Sequence, residues 1–147
     1  MMPETERAPE LSRQTDGSVP ICVGIGLIRR GETLLVRRRP AGTVYAGYWE
    51  FPGGKCEPGE SPPQTTIREC LEETGLAVQV VGLRRVIEHH YPHDHVRLHF
   101  FDCAPADPEA EPAADSGCRW VEIAELRDLR FPEANEPILE ELARDGG

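Results

Sequence analysis

The chain contains no run of about 18 apolar residues, so no part of it reads as a membrane-spanning helix. Its first residues lack an apolar core, so no secretory signal is expected. It has no C-x-x-C pair. The cysteines are Cys22, Cys56, Cys70, Cys103 and Cys118, odd in number and scattered. That pattern argues against a disulfide framework or a zinc site, and for reduced thiols in a cytoplasmic protein. Nothing beside Cys56 marks it as an activated nucleophile. Positive charge is also scarce: 16 Lys and Arg stand against 26 Asp and Glu, for a formal net charge of −10. An acidic surface disfavours broad binding to nucleic acid or anionic membrane, so neither is expected as a partner. A small anionic substrate fits only where a metal supplies a local positive field. There are no internal repeats.

What is present is an ordinary globular composition, 39% hydrophobic and 29% charged over 147 residues, enough for one domain with a core. Residues 1–17 are polar and aperiodic and read as a disordered tail, leaving 18–147 as a single domain. Pro20 to Ile28 and Thr33 to Val36 read as a hairpin turning at Arg30-Gly31-Glu32. A Gly-containing loop follows Arg37-Arg38-Arg39 and runs to Tyr48. Residues 77–88 are β-rich with an interruption at Gly82. Val96 to Cys103 and Arg119 to Glu122 are further strands, separated by a Pro- and acid-rich loop over 104–117. Residues 122–129 suggest a short helix, and Ala134 to Arg144 an amphipathic one carrying Ile138, Leu139 and Leu142. Strands interspersed with helices imply an α/β fold, a mixed sheet covered on both faces.

The densest signal lies between Gly54 and Leu76. Ser61, Pro62, Pro63 and Gln64 form a capping-box start, and Gly75 is a stop, so a helix is expected from about Pro62 to Thr74. Ile67, Cys70 and Leu71 suit one buried stripe. Glu69, Glu72 and Glu73 fall at i, i+3 and i+4, so three carboxylates meet on one patch. Their repulsion costs helix stability, and a hard divalent cation would remove that cost. Arg68 adjoins them and can orient one. A solvated acidic face is the plain alternative. The preceding Gly53-Gly54 and the acidic loop Glu57 to Glu60 weigh against it, because glycine lets backbone approach a ligand or leaves a carbonyl free for a metal.

The pattern Gly54, Glu60, Arg68, Glu69, Glu72, Glu73, Gly75, Leu76 resembles the box of the Nudix hydrolases, which cleave a diphosphate linked to another moiety. Cys70 stands where the family usually has a bulkier aliphatic residue. Trp49 to Lys55 and Phe131 to Pro137 extend the likeness to the MutT branch of that family, over about residues 20–143. The resemblance implies an α/β/α sandwich with a mixed β-sheet. It implies Mg²⁺, with Mn²⁺ as substitute, held by Gly54, Glu60, Glu69, Glu72, Glu73 and an acid of the late loop, for which Asp115 is nearest and Glu111 second. Glu69, Glu72, Glu73 and Arg68 are the implied catalytic group. The implied reaction is water attack at the β-phosphorus of a nucleoside triphosphate, giving monophosphate and diphosphate, with 8-oxo-dGTP as substrate. Glu69 or the late-loop acid is the implied proton acceptor.

Three positions carry the implied substrate contacts. Asn135 matches a base-reading Asn, whose amide offers donor and acceptor together, although an Asn just before a helix also reads as an N-cap. Arg39 matches a substrate-contacting Arg, against the reading of a solvated basic turn, and strand alternation puts Arg37 on its face. Phe51 matches an aromatic near the base pocket, or is a core residue. An Arg of the MutT branch that contacts the nucleotide falls on Asp94 here. The histidines between His89 and His99 read as a polar turn rather than a zinc cluster, with His95, Arg97 and His99 on one strand face. Other readings are a CTP, dCTP or oxidised-pyrimidine pyrophosphohydrolase, a diphosphatase of ADP-ribose or dinucleoside polyphosphates, or a non-catalytic ligand-sensing domain. A monomer or homodimer is expected.

Overall fold

The computed structural model describes residues 19–146; the tail expected over 1–17 lies outside them. Strand β1 (Ile21–Arg30) turns at Gly31, which has φ +61°, into β2 (Thr33–Arg38). Two short strands follow, β3 (Trp49–Glu50) and β4 (Gly53–Lys55), then helix α1 (Pro62–Thr74). Long strands β5 (Val78–His90) and β6 (His95–Pro105) make a second hairpin, and β7 (Cys118–Glu122) completes the set. The expected helix after β7 is a 3₁₀ segment, Ile123–Asp128. Another 3₁₀ turn, Glu133–Asn135, leads into helix α2 (Glu136–Gly146). No helix of the described residues is long and apolar enough to cross a membrane.

The sheet runs β3-β2-β1-β6-β5, with β4 paired to β1 and β7 paired to β2. β1 and β6 are parallel, from Ile21 opposite Val96 to Ile28 opposite Cys103, while the other pairings are antiparallel. The sheet is therefore mixed, as expected. The interruption at Gly82 is a register shift between Val80 and Gly82, followed by another between Leu83 and Arg85. Extra residues there keep the strand paired while bending it.

Alternation along the strands feeds two cores. Leu27, Leu34, Val36 and Phe100 pack with Ile138, Leu139 and Leu142 of α2 on one face. Their neighbours Ile28, Leu35 and Phe101 point the other way, and pack with Cys70 of α1. One helix thus covers each face, giving an α/β/α sandwich. Each fully buried side chain of this kind contributes roughly 1.5–3 kcal/mol of transfer free energy.

Helix α1 begins and ends where expected. Ser61 Oγ accepts from the Gln64 N–H, the Gln64 side chain accepts from the Ser61 N–H, and Gly75 closes the helix at φ +81°. Its buried stripe differs from the expected one. Ile67 and Leu71 are 40% and 52% exposed, whereas Thr65, Thr66, Cys70 and Thr74 are buried. The cause lies beneath the helix. A Cβ on Gly24 would sit 2.5 Å from Thr66 Oγ1 and 2.6 Å from the Pro62 carbonyl, and one on Gly26 would sit 2.7 Å from Cys70 Sγ. The helix approaches β1 too closely for large side chains. The threonine hydroxyls stay satisfied by donating to helix carbonyls, Thr66 to Pro62 at 2.9 Å and Thr74 to Cys70 at 2.6 Å. Cys70, small and apolar, suits the same narrow gap.

Candidate active site

Arg68 organises the acidic patch. Its Nε donates to Glu60 Oε2 at 2.7 Å and its Nη2 to Glu60 Oε1 at 2.9 Å. Nη2 also reaches the Lys55 carbonyl at 3.2 Å. Nη1 reaches Glu69 Oε2 at 2.9 Å and Glu72 Oε1 at 3.3 Å. A guanidinium has five N–H donors, and here each direction meets an acceptor. The helix thus fixes Glu69 and Glu72 at successive turns while Arg68 ties them to the loop before it. Arg68, expected to orient one carboxylate, bonds three: Glu60, Glu69 and Glu72.

Glu60, expected among the metal ligands, is the main partner of Arg68. Besides the two Arg68 bonds, its Oε1 accepts from the Glu57 N–H at 3.0 Å and from Thr65 Oγ1 at 2.7 Å. Oε1 thus accepts three bonds and Oε2 one, which leaves one acceptor site open on Oε2. The Arg68 bonds come first among the causes holding its carboxyl down to about 2. Glu60 thus anchors Arg68 to the loop before the helix.

Gly54 faces Glu69 directly: a Cβ there would lie 2.5 Å from Glu69 Cδ. A side chain at this position would push the end of the Glu69 side chain out of its place. The Gly53 N–H donates to Glu73 Oε1 at 3.1 Å. Glu73 is half-buried, and burial, with the charges of Glu50 and Glu69 nearby, pushes its carboxyl up to about 7 despite the Gly53 N–H and Arg37. Gly54, Glu69, Glu72 and Glu73 therefore gather on one patch, where burial first, and neighbouring carboxylate charge second, help Glu73 retain a proton. Such an all-oxygen donor set fits a hard divalent cation.

Arg39 and Arg37 do share a face. Arg37 Nη1 donates to Glu50 Oε2 and Arg39 Nη1 to Glu50 Oε1, each at 2.7 Å. Arg39 Nε also donates to the Val44 carbonyl at 2.7 Å. Both guanidinia are held in place by one acid that the sequence did not single out. Glu50 is visible only once β2 and β3 pair, with Arg37 opposite Glu50.

Beside the glycines opens a cleft of about 350 Å³. Its lining includes Gly53, Gly54, Arg39, Glu50, Tyr45 and Asn135, with Tyr91 reaching in from the β5–β6 turn. Asn135 is half-buried, and its Nδ2 donates back to the Pro132 carbonyl at 3.1 Å. That bond runs away from α2, unlike the N-cap reading. Tyr45, which no sequence pattern marks, holds φ +62°, a left-handed conformation uncommon for such a residue. Phe51 is not in the lining. It is 5% exposed and stacks on Phe131 with ring centroids 5.0 Å apart, so its place is the core under the cleft.

Asp115 is exposed in the turn where the Ser116 N–H donates to the Ala113 carbonyl at 3.1 Å. The next residue's carbonyl accepts from Arg37 Nε at 3.3 Å, which places this turn beside the Arg37–Glu50 pair. Glu111 is engaged elsewhere, by Arg30 at 2.8 Å and Trp120 Nε1 at 3.2 Å. Asp94 sits in the exposed β5–β6 turn, its carbonyl accepting from the Tyr91 N–H at 2.7 Å. His95 and Arg97 share a face as expected, both bonding Glu88 at 2.8 and 3.0 Å. Glu88, His90 and His95 bring ligand atoms within 4.8 Å of one another, but Arg97 already holds Glu88, and the group uses no residue of the box.

The NUDIX domain family profile matches residues 24–141. Among curated relatives, the 8-oxo-dGTP diphosphatase of Escherichia coli (strain K12) is 34% identical over 128 residues, 83% of this chain and 95% of that protein. The CTP pyrophosphohydrolase of the same organism is 46% identical over 54 residues, 37% of this chain and 40% of that one. A crystal structure of the MutT protein from Methanosarcina mazei Go1 superposes with a TM-score of 0.72 at 25% identity, covering 86% of this chain and 95% of that one. With its box helix, its Arg68-centred carboxylate patch and its sandwich fold in agreement with that profile, this chain belongs to the Nudix hydrolase family.

Proposed function

We propose that this protein is a nucleoside triphosphate pyrophosphohydrolase that removes 8-oxo-dGTP, using Mg²⁺ with Mn²⁺ as substitute. The observation that carries this reading is the continuity of the cleft: Gly53 and Gly54 beside the carboxylates, Arg39 and Asn135 in one lining. Its volume suits a small ligand. The polyphosphate would lie toward the glycines and the base toward Asn135.

Gly54, Glu69, Glu72 and Glu73 would hold the metal. When bound, Mg²⁺ neutralises phosphate charge and makes a water more acidic. Phosphoryl transfer needs such neutralisation and an in-line water more than covalent help. Glu69 or the exposed Asp115 takes the proton from the attacking water. Glu60 and Arg68 keep the glutamates in position. Arg39, with Glu50 fixing its direction, meets an acceptor oxygen of the nucleotide. The Asn135 amide pairs with adjacent donor and acceptor groups on the purine edge. Tyr45 and Tyr91 offer ring surface in the same cleft on which a base can stack.

The competing reading is a CTP pyrophosphohydrolase, favoured by the local 46% identity to such an enzyme. The comparison that decides is kcat/KM with Mg²⁺ for 8-oxo-dGTP, dGTP and dCTP, in wild type and Asn135→Ala. The expected result is a lead of orders of magnitude for 8-oxo-dGTP, with the Asn135→Ala protein losing about 1–3 kcal/mol of it. A dCTP lead rejects the purine assignment, and a substitution that leaves the size of the 8-oxo-dGTP lead unchanged rejects Asn135 as the residue that reads the base.

A further inference from the structure

Two thiols remain outside this chemistry. Cys22 lies on β1, and Cys56 follows the last residue of β4. The pairing of Val23 with Lys55 continues to them, and the Cys56 N–H donates to the Cys22 carbonyl at 2.9 Å. Their Sγ atoms are 2.7 Å apart, and both residues are half-buried. A disulfide bond is about 2.05 Å long, so closing the gap takes a movement of roughly 0.6–0.7 Å. The backbone bond already holds the two strands in register. The other three cysteines are not so placed: Cys70 and Cys103 are buried in the core, and Cys118 lies on β7.

We propose that Cys22 and Cys56 are an oxidation site, a dithiol that a peroxide converts reversibly to a disulfide. One thiol reduces the peroxide O–O bond, becoming a sulfenic acid and releasing water. The second sulfur then forms the S–S bond and a second water leaves. Two electrons pass from the thiols to the peroxide, and a dithiol reductant returns them. The bond would tie β1 to the loop on which Arg68 depends. Lys55 supplies a carbonyl to Arg68, and Glu57 supplies an N–H to Glu60. Oxidation therefore fastens the anchorage of the carboxylate patch rather than altering a group in the cleft.

The test treats the full chain with hydrogen peroxide, alkylates it unfolded, and maps the peptides. The expected protein has lost two hydrogens, leaves three of its five cysteines alkylatable, and yields one peptide pair joining Cys22 to Cys56. Its thermal midpoint rises by something on the order of 5–10 °C and returns with dithiothreitol. Cys56→Ser and Cys22→Ala show neither change. Five alkylatable cysteines after treatment, a bridge between any other pair, or equal irreversible oxidation in wild type and Cys56→Ser would overturn the proposal. The wild-type map decides even if a variant fails to fold.

Discussion

Gly54 and Arg68 show how little latitude the carboxylate patch has. Adding a methyl group at Gly54 drives it into Glu69, so Gly54→Ala should displace that carboxylate while the fold persists. Misplacement on the scale of 1 Å costs about 10²-fold in rate. The prediction is a kcat loss of that order, read by diphosphate release, with little change in circular dichroism. Unchanged kcat would mean that Glu69 has no fixed position to lose. Arg68→Lys keeps the charge but abandons the five-donor fork. It should weaken Mn²⁺ binding by about 10- to 100-fold, measurable by titration calorimetry, as loss of a partner that orients ligands does. Glu69, Glu72 and Glu73 were legible as a patch because helical spacing dictates adjacency. Glu60 was legible as part of the site, but its bonds were not, since they come from Thr65, Arg68 and the loop together. Glu50 was invisible because its partners sit across a strand pair of two residues.

Among the elements, α1 was the most legible, since capping chemistry and carboxylate spacing are local. Ser61→Ala removes one half of the capping box and should cost about 1 kcal/mol in chemical denaturation. A cost near zero would show that packing on β1, rather than the cap, sets the start of the helix. The buried stripe of α1 was not legible, because it is decided by Gly24 and Gly26 on another element. Thr65 and Thr66 look polar in isolation and become core residues only where the sheet comes close. β3 and β4 are too short to carry a period, and the 3₁₀ segments lack the length that distinguishes a helix by pattern. Phe51 illustrates a related ambiguity: a motif places it near the cleft, while the pairing with Phe131 decides which side of the wall it occupies.

For the molecule as a whole, the parallel pairing of β1 with β6 joins residues more than seventy apart, and no local pattern reveals it. What the sequence does supply is the two-faced alternation, which fixes helices on both sides. Stability and pH are linked at this scale through Glu73. Its carboxyl titrates at about 7 in the folded, metal-free protein, above its ordinary value of 4.5. Between those values the native state binds more protons than the unfolded chain, so stability falls as pH rises from about 4.5 to about 7. Glu60, Glu88 and Glu111 are shifted downward, so their contributions are lost only below the ordinary carboxylate range. Thermal unfolding in a chelator should show the Glu73 decline, and Glu73→Gln should flatten it. Saturating Mg²⁺ should stabilise more at pH 8 than at pH 6, because cation and proton compete for the same oxygens. Equal stabilisation at both pH values would place the metal away from Glu73.

The carboxylate patch occupies one short stretch of chain, whereas the cleft wall is assembled from Arg39 and Tyr45 of one loop, Tyr91 of another and Asn135 of the 3₁₀ turn before α2. Inheritance can therefore act on the two independently. Under the proposed function, drift in any one of those segments would re-tune which nucleotide is admitted and leave the reaction untouched, while damage within the box would abolish every substrate at once. A lineage carrying this scaffold can change its diet without relearning how to cut.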